Sequence, residues 1–80
     1  MAANALSWMG AHEARCFVKD VLHDFQTVIG SVDDLKHHVV LRMAGRYGTA
    51  PDRVLSLLWE AAETVYAEHV EQQQNAGRAA

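Results

Sequence analysis

Residues 29–34 read "IGSVDD", and three of them carry the punctuation between two helices. Gly30 suits the end of one helix. Ser31 offers a hydroxyl that can cap the free backbone N–H groups of the next, and Asp34 stands three residues later, where a capping box places an acid. The same grammar recurs in "RYGTAPDR" at residues 46–53, with Gly48 as the stop and Thr49 and Asp52 as the start. Pro51 falls in the first turn, where a missing N–H costs nothing. Two stops and two starts predict three helices, over approximately residues 5–29, 32–46 and 50–73. No β-branched alternation of strand length and no Asn-Gly or Asp-Gly hairpin pair competes with them.

Outward from these breaks, the apolar residues follow a helical period. In the first segment Ala14, Phe17, Val18, Val21, Leu22, Phe25, Val28 and Ile29 recur at intervals of three and four, a stripe suited to facing a core. The second has Val32, Leu35, Val39, Met43 and Tyr47 on one side, and leaves Val40, Leu41 and Ala44 outside it. In the third, Val54, Leu55, Leu58, Trp59, Ala61, Ala62, Val65, Tyr66 and Val70 cover nearly half the circumference. Glu60, Glu63, Glu68 and Glu71 take the opposite face. The fold class read from this is all-α, a small three-helix bundle with short links that make successive helices antiparallel.

The apolar faces are wider than such a bundle needs. The surplus around Trp59, Tyr66, Leu41 and Val40 predicts a covered surface, by a second copy in a homodimer or by another protein. Size points the same way, since a single core is marginal at 80 residues and one cysteine makes no internal disulfide. After Val70 the hydrophobic period is lost, and residues 74–80 read as a frayed tail on a single domain. Before the first helix, Leu6, Trp8 and Met9 read as an apolar flap.

Composition narrows the class. Half the residues are hydrophobic and 21% are charged, which sets aside a disordered chain, and the net charge of -3 argues against general nucleic-acid binding. The N-terminus has no basic region followed by a long apolar run, and no stretch reaches the roughly 18 apolar residues of a membrane span. With an unpaired thiol, this predicts a cytoplasmic chain without a membrane partner.

The densest chemistry lies in "GAHEARCFVKDVLHDF", residues 10–25. His12 and Cys16 are one helical turn apart and could reach one metal ion, with Asp20 a turn further on. His23 lies about 10 Å along the axis from Cys16, too far to join them. A structural zinc site wants four ligands, and a nucleophilic cysteine wants an oriented base, a cleft and oxyanion donors. Neither set is present, so no metal, cofactor or catalytic residue is predicted, and the face reads as surface or interface.

One basic row stands out: His38, Arg42 and Arg46 at four-residue spacing, which Arg53 extends. It is the feature that supports an alternative, a helix-turn-helix-like DNA-associated regulator gripping phosphates through the second helix. The third helix fits poorly as a recognition helix, because its glutamates would repel DNA. The favoured expectation is a non-enzymatic interaction module, a small bacterial or phage accessory regulator, adaptor or inhibitor. Trp59, Tyr66, Leu41 and Val40 would be its anchors, and Arg42 and Arg46 would set orientation. A second way to dock is the acidic face, with Glu60, Glu63 and Glu71 meeting a basic groove.

Overall fold

The computed structural model describes residues 8–48 and 50–79, with side chains described as far as Asn75. Among them are three helices, α1 (Ala11–Asp24), α2 (Val32–Tyr47) and α3 (Asp52–Ala79), and no strand. The all-α bundle expected from the punctuation is what forms.

Each helix end has a local cause. At the start of α1, Gly10 is extended and donates its N–H to Glu13 Oε1 at 2.9 Å. Glycine has no hydroxyl, so only this return half of a capping box exists. The end of α1 differs from the expectation. The helix stops at Asp24, and the N–H groups of Val28 and Ile29 both turn back onto the Phe25 carbonyl, at 2.9 and 3.0 Å. Thr27, Val28 and Ile29 form a β-branched run whose stiff side chains disfavour another helical turn. The turn buries Ile29 and leaves Val28 62% exposed, although both lie on the predicted core stripe.

Gly30 therefore serves the start of α2 rather than the end of α1. Its N–H binds Asp34 Oδ2 at 3.0 Å, while Ser31 Oγ accepts from the Asp34 N–H at 3.1 Å. At the other end Gly48 takes φ 81°, where only glycine is unstrained, and its N–H meets the Ala44 carbonyl at 3.0 Å. In α3 the Leu55 N–H binds the Pro51 carbonyl at 3.0 Å, so the proline sits at the helix entrance as read. The Thr49 cap and the Leu6 part of the flap lie outside the described residues. Within the described part of the flap, Met9 is buried and Trp8 is exposed.

The core is built from the predicted stripes. Ala14, Phe17, Val18, Val21 and Leu22 of α1 meet Leu35, Val39 and Met43 of α2 and Val54, Leu58, Ala61, Ala62 and Val65 of α3. Burying each of the larger side chains is worth about 1.5–3 kcal/mol. Among the described residues no polar or charged side chain is buried.

Contacts between elements give the direction of each helix. Asp24 pairs with Arg42 at 2.6 Å, and the Arg46 guanidinium lies 5.8 Å from the Phe17 ring centre, so α1 and α2 are antiparallel. Lys36 pairs with Glu63 at 3.8 Å, and Arg53 Nη1 donates to the Met9 carbonyl at 3.0 Å, which sets α3 antiparallel to α2 and parallel to α1. With 28 residues against 14 in α1 and 16 in α2, α3 outruns the bundle. Its predicted end near residue 73 is passed, and the helix continues to Ala79. Residues 71–75 are all exposed. No helix among the described residues is long and apolar enough to cross a membrane.

Candidate docking surface

Three of the five large apolar side chains exposed among the described residues lie on α2, the others being Trp8 and Val28. On α2, Leu41 is 56% exposed, Val40 37% and Tyr47 38%. Val40, Ala44 and Tyr47 form one row at spacings of four and three, and Leu41, Gly45 and Gly48 form the row beside it. Ala44, Gly45 and Gly48 are exposed too. These two rows carry no charge, and the exposed Arg46 lies beside them on the α1 side. At the end of α2 the Tyr47 ring meets Trp8 edge-on, with centroids 6.3 Å apart. Trp8 carries the exposed aromatic surface across to the entrance of α1.

The six residues expected to form one patch are divided by the fold. Val40 and Leu41 are neighbours in sequence and point about 100° apart on the helix. Lys36, one turn before Val40, reaches α3, so Val40 lies on the α3 side and Leu41 faces away from it. Trp59 and Tyr66 share one flank of α3 and are half-buried, packed against the core. They offer edges rather than whole rings.

Arg42 and Arg46 lean inward. Arg42 pairs with Asp24 and stands 5.6 Å from the Phe25 ring centre, while Arg46 lies over Phe17 and keeps an exposed side. His38 joins them, its ring 4.7 Å from that of Phe25 and its Nδ1 2.9 Å from the Asp34 carbonyl oxygen. A cation attracted to an aromatic face explains why the row follows α1. The acidic alternatives Glu60, Glu63 and Glu71 are all exposed, and Glu63 is tied to Lys36. Glu60 and Glu63 also border a groove of about 310 Å³ between α1 and α3, with Arg15 on its other wall.

His12 and Cys16 do meet, with Nε2 and Sγ 3.6 Å apart. They border a groove of about 340 Å³ with Asp20, Trp8, Tyr47 and Arg46, and Cys16 is exposed. His23 and Lys19 instead line a separate groove beside Glu68 and His69 of α3. Among the described residues no group of three or more histidine, cysteine, aspartate or glutamate side chains could hold a metal ion. The Glu13 carboxyl is held below the usual glutamate range mainly by the N–H of Gly10.

No family model, curated protein or solved structure matches this chain. Its surface has to be understood from its own chemistry.

Sequence reasoning missed the aromatic end of that surface. Tyr47 fits the core period of α2, but it is the last residue before Gly48, at the rim of the core. The usable signal was the pairing of a helix-terminal tyrosine with a tryptophan just before α1. Gly45 was missed as well. A Cβ added there meets nothing within 4 Å, so no close approach inside the fold requires a glycine at that position.

Proposed function

We propose that this chain is a non-enzymatic protein–protein interaction module, a small regulator, adaptor or inhibitor that docks an apolar helical surface on another protein chain. The observation that carries this reading is the uncharged outer face of α2, with Val40 and Leu41 exposed and continued by Tyr47 and Trp8. Exposed apolar surface of this kind loses water on association, and large amphipathic aromatics concentrate the binding energy. Trp59 and Tyr66 form the rim on the α3 side, and Arg46 supplies an exposed charge near Tyr47 that gives the complex its salt dependence.

Two further observations support the reading. Arg42, Arg46 and His38 are engaged with α1, which favours a protein partner over DNA phosphates. The exposed thiol of Cys16 suits a reducing compartment, in keeping with a cytoplasmic setting.

Affinity capture from the cells that make the protein, with and without nuclease, tests the proposal when wild type and Leu41→Glu are compared. The expected result is a stoichiometric protein, the same chain or another, that survives nuclease and is lost with the variant. Recovery of nucleic acid, with bound protein lost after nuclease, would overturn the reading in favour of the DNA-associated regulator.

A further inference from the structure

We infer that the occupant of the α2 outer face is a second copy of this chain, docked antiparallel so that Leu41 of each copy sits over Gly45 of the other. The inference rests on the docking reading above and goes further by naming the partner.

Charge decides which face can pair with itself. A two-fold axis sets each surface against itself, so a charged face meets its own sign. The exterior of α3 carries exposed Glu60, Glu63, Glu68 and Glu71 and would repel its mate. The exterior of α1 carries Arg15, Lys19 and Asp20. Among the described residues, the two rows through Val40 and Leu41 in the second half of α2 present an outer face without charge, with the exposed Arg46 turned aside toward α1. The acidic residues of α2, Asp33 and Asp34, stand in its first turn. An antiparallel pair centred near Met43 sets the two Asp33 residues about 30 Å apart, at 1.5 Å per residue.

Shape agrees with charge. Leu41 and Gly45 are one turn apart in the same row, a projecting side chain beside a gap. An exposed glycine inside a helix destabilises it relative to alanine, and nothing in the fold needs one here. The gap is the space the opposing leucine requires, and the two-fold axis makes the fit reciprocal.

Area sets the strength. Val40, Leu41, Tyr47 and Trp8 expose on the order of 400 Å² per chain, but they lie on two adjoining rows, so a pair centred on the Leu41 row covers less than about 800 Å², below the roughly 1,200 Å² of stable assemblies. The dimer is accordingly weak and depends on concentration.

Sedimentation velocity between about 10 µM and 1 mM, the range in which interfaces of this size titrate, is the test. Wild type is expected to pass from monomer to dimer, and Gly45→Gln and Leu41→Glu to weaken the dimer at least tenfold. Gly45→Gln is expected to melt a few degrees higher than wild type when both are dilute, because glutamine is the better helix former. That rise separates a blocked interface from a damaged fold. A monomer throughout the range, or a dimer that both variants leave intact, would overturn the proposal. The docking reading fails separately: a monomeric wild type that still captures a different protein through Leu41 overturns self-association alone, and one that captures nothing overturns both.

Discussion

Leu35 and Leu41 belong to the same helix less than two turns apart, and one is fully buried while the other is 56% exposed. Gly45 and Gly48 make a second such pair. Gly48 has the positive φ that closes the helix, whereas Gly45 has ordinary helical backbone and open space around it. The inner members are explained by the core and the cap. The outer members serve neither the core nor the cap, and that contrast between the two faces of α2 supports the docking surface proposed there.

The largest break expected between the faces comes from one substitution made twice. Leu35→Ala empties a buried site and should cost about 2–5 kcal/mol, enough to leave a bundle of this size barely folded. Leu41→Ala should change the stability of the dilute chain by less than about 0.5 kcal/mol. Denaturant unfolding of both variants checks this, and equal costs would mean that α2 buries both faces.

The two glycines should respond to substitution with opposite signs. Gly48→Ala forces an L side chain to positive φ and should cost about 1–2 kcal/mol. Gly45→Ala should stabilise the dilute monomer by about 0.4–1 kcal/mol. Thermal melts in dilute solution decide between them, and a loss at both positions would show that Gly45 is already in use within the fold.

Less is expected from the link that holds α2 to α1. The Arg42 side chain is 19% exposed and that of Asp24 48%, so solvent screens much of their attraction. Arg42→Ala should cost about 0.5–1 kcal/mol, including the contact with Phe25. A double-mutant cycle with Asp24→Asn reads the ion-pair share, and no coupling would make the pair incidental.

The smallest effect belongs to Glu13. Its carboxyl is held below the usual range when folded, so its contribution is complete above the unfolded value and is lost as pH falls through the folded one. Glu13→Gln should therefore flatten the acid side of a stability profile below about pH 4.3 and leave neutral pH little changed by proton linkage. An unchanged acid limb would show that the Gly10 contact does not persist in solution.

How far the sequence could carry these conclusions depended on whether a feature was local. Ser31, Asp34 and Gly48 act within one turn of themselves, so the start and end of α2 could be read directly. The core stripes were legible because burial follows the helical period. The end of α1 was not, because Gly30 resembles a cap and the weakness of the β-branched run before it lies in side-chain stiffness rather than polarity. The candidate surface was legible only as a surplus. The outward positions of Val40 and Leu41 follow from their offset from the core row, but Tyr47 fits that row and is exposed because the core ends there. The partners of Arg42 and Arg46 lie on α1, more than fifteen residues away, and no local spacing could reveal them.

Association through the outer face of α2 would leave its trace in solution. A series of amide NMR spectra from dilute to concentrated protein tests it residue by residue. The shifts should gather at Val40, Leu41, Ala44, Gly45 and Tyr47 and leave the outer residues of α1 and α3 still. Spectra that do not change with concentration, or shifts confined to the flank of Trp59 and Tyr66, would contradict it.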